Sequence, residues 1–441
     1  MFLNSLFKLE ELGTDIKTEV SGGITTFMTM SYIIFVQPAV LSACGMDFGA
    51  VMAATCISSA VATIIMGLYA NYPIALAPAM GHNFFFTFTV CLTMQIPWQH
   101  ALGAIFIAGF IFLALSFLAV REKLMDVIPT CLKSSIAAGI GLLITLIGFE
   151  WSGIIVDAPG TLVQLGNLKS APVLVSLFGI LLLSFLLIRQ IKGAILLGIL
   201  GTGFLAWLSG LTHFEGVFSS PPSLAPTFLK LQIFKGFTFD FLIVILIFLF
   251  LDVFDTIGTL IGVTKQAGLL VDGKLPGAKR AFFSDACGTV TGALLGTSTI
   301  TSYIESSAGI AVGARSGLSN VVTGLLFLLS LFFFPIVKMF GGGYEIAEKV
   351  YLYPITAPVL ILIGSFMVKS ILDIDWDDYS ESIPAFLTML IMPLTFSITE
   401  GIAFGFISYS LLKIMKGEFK EAGIINHILA LIFILRYIFL V

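Results

Sequence analysis

Long apolar runs separated by short polar breaks dominate the chain, and this pattern predicts an all-α polytopic membrane protein. A run of about twenty residues crosses roughly 30 Å of hydrocarbon as a helix. The fourteen predicted spans are residues 21–43, 49–70, 73–95, 100–120, 129–149, 172–189, 193–211, 238–262, 280–297, 299–313, 318–338, 354–371, 383–397 and 399–415. A last apolar stretch, 424–441, predicts an extra C-terminal helix that either spans the bilayer or lies at its interface.

A polar, proline-containing stretch divides the fourteen runs into two sets of seven. An odd number of spans per set forces the two halves into opposite orientations, which is the inverted-repeat arrangement of many secondary transporters. The predicted organisation is a cytoplasmic N-terminus, a first repeat, a connecting loop, a second repeat and a C-terminal apolar segment. Their bounds are 1–20, 21–211, 212–237, 238–415 and 416–441.

Composition and charge support a membrane environment. Of the 441 residues 58% are hydrophobic and 11% are charged, whereas soluble domains carry about 25% charged residues. The formal net charge of −4 provides no basic face, so no nucleic-acid partner is expected. With the N-terminus inside, 16 of the 22 Lys and Arg residues fall on the cytoplasmic side. This bias is the one expected of a multi-pass protein in the cell membrane.

Motifs for metal binding and for catalysis are missing from the sequence. The five cysteines form no C-x-x-C pair, and the four histidines have no metal-ligand spacing. No complete P-loop and no G-x-S-x-G motif occurs, which argues against a membrane enzyme. The sequence therefore predicts a non-enzymatic protein without metal or cofactor.

The third run of each half is interrupted by glycine, proline and hydroxyl residues. In residues 77–86, the proline disfavours helix before it, which predicts extended chain and then a half-helix from His82 or Asn83. In residues 296–305, alternating β-branched and hydroxyl residues predict a short strand and a half-helix around Tyr303. The two strands would pair antiparallel, and the two helix N-termini would face a ligand. The alternative is a pair of kinked packing helices.

Three carboxylates lie in apolar surroundings, where a charge costs at least about 2.5 kcal/mol. Asp252 and Asp255 are spaced i, i+3 on one helical face, and Glu305 lies in the second interrupted segment. Such residues usually bind ions, protons or substrate, although one near a helix end can reach the interface instead. Desolvation and a nearby like charge favour the protonated carboxyl, so proton coupling through Asp252 and Glu305 is preferred, and sodium coupling stays open. Asp285 is interpreted mainly as a helix cap or bridge.

These segments resemble a known family. Residues 25–38, 254–263 and 296–309 are similar to the AzgA-like adenine/guanine/hypoxanthine permeases of the nucleobase–ascorbate transporter superfamily, and the likeness covers nearly the whole chain. The resemblance implies a 7+7 inverted-repeat fold with a core domain and a gate domain. It also implies proton-coupled uptake of purine bases at a site between the two broken segments. The motif residues implied in purine binding or transport are Asn83, Asp252, Asp255 and Glu305.

The first break departs from the family pattern. The family usually has Gly-Leu-Asn-Ala there, whereas this chain has Gly81-His82-Asn83-Phe84, which narrows or repolarises one wall of the predicted site. The preferred base therefore stays open, as does a uracil, xanthine or anion carrier of the same fold. A passive channel and a homodimer are further alternatives. The full set of predicted substrate-binding residues is Asn83, Asp252, Asp255, Glu305, His82, Phe84, Thr301 and Ser302.

Overall fold

Helices account for most of the chain in the computed structural model, which describes residues 2–117, 128–233, 239–269, 277–347 and 350–439. The helices before the connecting loop are α1 (Phe2–Phe7), α2 (Ile16–Met30), α3 (Ile33–Ser42), α4 (Phe48–Ile65), α5 (Met80–Phe84), α6 (Trp98–Phe117), α7 (Thr130–Trp151), α8 (Ala171–Ile188) and α9 (Ala194–Leu208). Two of them, α4 and α5, continue as π-helical turns over Met66–Ala70 and Phe85–Thr93.

The second half has the same helical character. Its helices are α10 (Phe239–Gln266), α11 (Ala278–Leu295), α12 (Ser306–Val312), α13 (Leu318–Ser330), α14 (Phe334–Gly341), α15 (Ala357–Met367), α16 (Tyr379–Thr395), α17 (Ile398–Lys416), α18 (Phe419–Ala422) and α19 (Ile424–Phe439). Short 3-10 turns cover Leu331–Phe333 and Val368–Asp373. The strands are β1 (Leu76–Pro78), β2 (Ile155–Ala158), β3 (Thr161–Leu165), β4 (Ile300–Ser302), β5 (Tyr344–Ala347) and β6 (Val350–Leu352).

Eight helical segments among the described residues are long and apolar enough to cross a membrane. They are Ile16–Ser42, Phe48–Ala70, Trp98–Ser116, Thr130–Trp151, Ala171–Ile188, Asp240–Thr264, Leu318–Gly341 and Ile398–Lys416. The chain is therefore a mostly helical, multi-pass membrane protein, as its apolar runs predict, while the count of fourteen spans stays a prediction. Parts of the predicted elements lie outside the described residues, namely 118–120, 234–238 and 440–441.

Both half-helices begin at positions that differ from the prediction. The first starts at Met80 instead of His82 or Asn83, because Ala79 is the last residue with extended backbone (ψ 134°). The second starts at Ser306 instead of around Tyr303. The amide of Tyr303 donates to the carbonyl of Ala75 at 2.9 Å, so the extended pairing continues one residue past β4 and delays the helix.

Two hairpins add strands that the predicted fold does not include. β2 pairs with β3 and β5 pairs with β6, both antiparallel. The first hairpin turns at Pro159-Gly160, a dipeptide that favours a tight turn. The two hairpins lie near each other, since the amide of Tyr353 donates to the carbonyl of Trp151 at 2.8 Å. Both lie in the connections between apolar runs, where hydropathy alone does not distinguish a hairpin from a loop.

The helices pack in two groups. Several contacts between a helix of the first half and one of the second have a counterpart in which the corresponding helices of the two halves are exchanged. The first group contains α2–α6 and α10–α14, and the second contains α7–α9, α15–α17 and α19. α4 packs on α13 while α6 packs on α11, and α2 packs on α12 while α5 packs on α10. In the second group, α8 packs on α15 and α7 on α16. Such exchange is the signature of two halves related by a pseudo-two-fold axis.

The C-terminal helix α19 lies antiparallel to α17 along most of its length. Near the start of α19, the imidazole Nδ1 of His427 is 2.6 Å from the hydroxyl of Ser410, in the second half of α17. Near the end of α19, Arg436 Nη1 donates to Glu400 Oε1 at 2.7 Å, in the first turn of α17. α19 therefore runs alongside α17, which is long enough to span the membrane, and whether α19 itself spans stays a prediction.

Arg436 also connects the two packing groups. Its side chain is mostly buried, and its Nε is 3.4 Å from Asp240 Oδ1 at the start of α10. The hydroxyl of Tyr437 donates to Glu400 as well. One guanidinium therefore joins α10 of the first group to α17 of the second.

We expect Arg436→Met to destabilise the folded protein. The substitution leaves Glu400 and Asp240 without their cation, and because both carboxylates are partly exposed the loss should be roughly 1–3 kcal/mol. The measurement is the midpoint of thermal unfolding of detergent-solubilised protein. Arg189→Met, at an exposed position after α8, is the matched control. Equal midpoints for the two variants would show that the ion pairs contribute nothing to stability.

Candidate functional site

The two interrupted segments meet as a pair of short antiparallel strands. The partners in register are Leu76 with Ser302, Ala77 with Thr301, and Pro78 with Ile300. The pairing is prolonged by the amide of Ala79, which donates to the carbonyl of Thr299 at 3.0 Å. All six strand residues are buried. Strand pairing is one of the few ways to satisfy broken backbone away from water.

Side chains from neighbouring helices satisfy the outer edges of this strand pair. On the β1 edge, the hydroxyl of Thr63 donates to the carbonyl of Leu76 and accepts from its amide, both at 2.9 Å. On the β4 edge, Asp285 Oδ2 accepts from the amide and the hydroxyl of Ser302 at 2.9 and 2.7 Å. Asp285 Oδ1 accepts from the hydroxyl of Thr256 at 2.8 Å. Asp285 therefore bridges β4, α10 and α11, which accounts for a carboxylate at this depth.

The two acids of α10 also approach β4. Asp252 is 1% exposed, and its Oδ2 lies 3.0 Å from the hydroxyl of Thr289. The same hydroxyl lies 2.8 Å from the carbonyl of Ile300. Asp255, one turn further along α10, is exposed and accepts from the hydroxyl of Thr301 at 3.1 Å. Both carboxylates thus connect to the second strand, Asp255 directly and Asp252 through a shared hydroxyl.

Glu305 follows β4 and lies at the start of α12. The hydroxyl of Tyr32 donates to Glu305 Oε1 at 2.7 Å. Tyr32 is buried at the junction between α2 and α3, where the first predicted span is divided into two helices. The ring of Tyr303 lies 6.4 Å from that of Tyr32. An aromatic hydroxyl from the first half therefore orients the carboxylate of the second.

Glycines let α12 approach α2 closely enough for this contact. A Cβ on Gly309 would lie 2.1 Å from Thr26 Oγ1 and 2.6 Å from the carbonyl oxygen of Gly22. A Cβ on Gly22 would lie 2.6 Å from that of Ala314. Such distances are below van der Waals contact, so only glycine fits at the crossing. Small residues serve the same purpose wherever membrane helices pack backbone to backbone.

The first break brings three predicted site residues into a buried position on α5. Neither ring nitrogen of His82 has a hydrogen-bond partner among the described residues, although the side chain is buried. Asn83 is fully buried, and its Nδ2 donates to Gln37 Oε1 at 2.7 Å. Phe84 stacks on Phe88 with ring centroids 5.6 Å apart. One face of Phe84 is therefore covered by another ring of the protein.

Of the predicted residues, the structure places Asp252, Asp255, Thr301 and Ser302 in one hydrogen-bonded region around β4. The hydroxyl hydrogens of Thr301 and Ser302 are directed at Asp255 and Asp285. Glu305 lies just beyond them on the same segment.

Tyr32, Gln37 and Thr289 were not singled out from the sequence. Tyr32 and Gln37 do lie in the motif 25–38, and that motif was the available signal. A single neutral polar residue in an apolar run, however, is more often a packing residue than a site residue.

A helical membrane bundle with two broken spans, paired strands and intramembrane carboxylates has the architecture of a secondary transporter. The transmembrane domain of the cyanobacterial bicarbonate transporter BicA has a similar fold, with a TM-score of 0.64 at 13% sequence identity. The likeness covers 88% of this chain and 97% of that domain. At this identity the comparison establishes the fold alone.

The sequence comparisons define the family. The model of the Permease family designated Xan_ur_permease matches residues 17–404, and the chain therefore belongs to that family. It is 46% identical to the guanine/hypoxanthine permease PbuG of Bacillus subtilis, over 99% of this chain and 100% of PbuG. It is 44% identical to the adenine permease AdeP of Escherichia coli, over 99% of this chain and 96% of AdeP. These matches confirm the resemblance, and the protein is a transporter, not an enzyme.

We expect Asp285→Ala to reduce stability as well as uptake. The change removes the acceptor of the Ser302 amide and of the Thr256 hydroxyl, both of which are buried, at a cost of roughly 2–5 kcal/mol. The measurement is the thermal midpoint in detergent together with the amount of protein in the membrane. Thr291→Ala, on the same helix and with its hydroxyl bonded to the backbone of that helix, is the control. A stable Asp285→Ala variant that fails to transport would assign Asp285 to the transport step.

Proposed function

We propose that this protein is a secondary active transporter that takes up purine nucleobases (adenine, guanine and hypoxanthine) together with a proton. PbuG and AdeP, which are named as purine permeases, align with nearly all of this chain and support the substrate class. The observation that carries the proposal is the clustering of Asp252, Asp255 and Glu305 around the paired broken segments. The proposed substrate-binding residues remain Asn83, Asp252, Asp255, Glu305, His82, Phe84, Thr301 and Ser302.

The chemistry of these groups matches a purine base. A purine is planar and presents N–H donors and ring-nitrogen acceptors along its edges. A carboxylate oxygen of Glu305 or Asp255 and the carboxamide oxygen of Asn83 accept such N–H donors. Glu305 already accepts from Tyr32 through Oε1, and each carboxylate oxygen has more than one acceptor site. The contact with Tyr32 therefore orients Glu305 and still leaves it able to bind substrate.

The geometry at Thr289 supports proton binding at Asp252. A hydroxyl has one hydrogen, yet Thr289 Oγ1 is within hydrogen-bond distance of both Asp252 Oδ2 and the carbonyl of Ile300. With a proton on Asp252, the carboxyl donates to Thr289, and Thr289 donates to Ile300. Loss of that proton makes the two oxygens compete for one hydrogen, which links the charge of Asp252 to the backbone of β4. Asp252 and Glu305 are the proposed proton-coupling residues.

Alternating access requires two parts that move relative to each other. We assign the first packing group, which contains both broken segments, to the core domain, and the second group to the gate domain. The proposed topology has a cytoplasmic N-terminus (1–20), repeats at 21–211 and 238–415, a connecting loop at 212–237 and a C-terminal segment at 416–441. The distribution of Lys and Arg supports this orientation.

We expect cells that lack their own purine transport to accumulate labelled hypoxanthine when they express this chain. A protonophore should abolish accumulation, and Glu305→Gln should lower it at least about tenfold, because an amide cannot carry the charge or exchange the proton. Tyr32 still donates to the amide oxygen of the variant, so the protein should reach the membrane. Glu150→Gln, at an exposed carboxylate near the end of α7, is the control. Accumulation that follows a sodium gradient and ignores the protonophore would rule out proton coupling.

His82→Leu should change the relative affinities for different bases. The imidazole bonds to no described residue, so leucine of similar size removes no hydrogen bond within that part of the protein and should leave the fold intact. The measurement is competition of labelled hypoxanthine uptake by unlabelled adenine, guanine, xanthine and uracil. An unchanged order of competitors would make His82 a packing residue.

A further inference from the structure

We propose that Gln37 is a positioning residue that orients the carboxamide of Asn83, so that the oxygen and not the amino group is offered to the substrate. The inference deepens the proposed function and rests on it. In this proposal Gln37, a neutral side chain of α3, determines whether Asn83 accepts or donates a hydrogen bond to the substrate at the first break. The complementary ligand group is an N–H donor on a planar heterocycle.

Gln37 joins the two broken segments through side chains alone. Its Oε1 accepts from Asn83 Nδ2 at 2.7 Å. Its Nε2 donates to the hydroxyl of Ser298 at 2.8 Å and to that of Thr297 at 3.0 Å, just before β4. All four residues have 0% exposure. In the described part of the chain this is a direct side-chain bridge from α5 to the segment that leads into β4.

The bridge determines which end of Asn83 points toward Gln37. Nε2 of Gln37 donates to the hydroxyls of Thr297 and Ser298, and its oxygen faces Asn83. Asn83 turns its amino group toward this oxygen, and its own oxygen points away. Burying a polar side chain costs free energy unless it is hydrogen-bonded, and Gln37 meets that condition with all its partners in place.

The oxygen of Asn83 is the group left for a ligand. Oδ1 is buried and accepts from none of the described residues. Buried acceptors without a partner are uncommon, and water or a bound ligand usually fills the position. An N–H of the substrate fits this acceptor, whereas a ring nitrogen or a carbonyl oxygen would face it unfavourably. Without Gln37 the carboxamide could rotate by half a turn and present its amino group instead.

A double-mutant cycle separates positioning from a general structural role. The variants are Gln37→Met, Asn83→Ala and the double variant, and the quantity is the KM and Vmax of hypoxanthine uptake per protein in the membrane. Gln37→Met should raise KM about tenfold, the loss expected for one hydrogen bond in a buried site, with little change in Vmax. In the Asn83→Ala background, the same change should have almost no further effect, because it acts through a group already removed.

Two further variants keep the test decisive. Gln37→Glu retains an oxygen for Asn83 Nδ2 in either protonation state, so its KM should stay within about threefold of wild type. If Gln37→Met fails to fold, Gln37→Glu still tests the proposal, because a tenfold rise in its KM would contradict it. Thr202→Val, in α9 with its hydroxyl bonded to its own helix backbone, controls for loss of a buried polar group and should leave KM unchanged.

The outcomes distinguish this proposal from the proposed function. Failure of the wild-type chain to take up purines would refute the proposed function, and the Gln37 proposal with it. Normal wild-type uptake with multiplicative effects of Gln37→Met and Asn83→Ala would refute only the role of Gln37. A tenfold rise in KM for Gln37→Glu would do the same.

Discussion

A backbone that leaves the helical conformation inside a bilayer must find partners for its peptide groups within the protein. The structure meets this constraint where β1 and β4 pair with each other. Thr63 covers the free edge of one strand, and Asp285 covers that of the other. The polar groups at the edges of these two strands are arranged around this pairing.

The same requirement explains why acidic side chains can be tolerated so deep in the protein. A carboxylate away from water is costly unless donors surround it, and the broken segments supply amides and hydroxyls that helices do not. Asp285 uses them to hold β4, Asp255 bonds to the same strand directly, and Asp252 reaches it through the hydroxyl of Thr289. The sheet edge and the candidate site therefore belong to one network of hydrogen bonds.

The extra helix α19 stands outside the exchange symmetry of the two halves. It packs on α17, and no described helix of the first half takes the equivalent place beside α9. Its Arg436 contacts Asp240 on α10 and Glu400 on α17, and these helices belong to different packing groups. The C-terminal segment thus adds an ion-pair connection between the two packing groups.

The sequence by itself determined the features that depend on local composition. Apolar runs identify membrane spans, and glycine, proline and hydroxyl residues at 77–86 and 296–305 mark the interruptions. Only the tertiary structure decided which groups meet: Tyr32 and Glu305 are 273 residues apart, and Gln37 and Ser298 are 261 apart. Hydropathy is a property of neighbours along the chain, whereas these partners are brought together by helix packing. For that reason the sequence located the acids and indicated a bridging role for Asp285, but it did not show that Asp285 holds the edge of a strand.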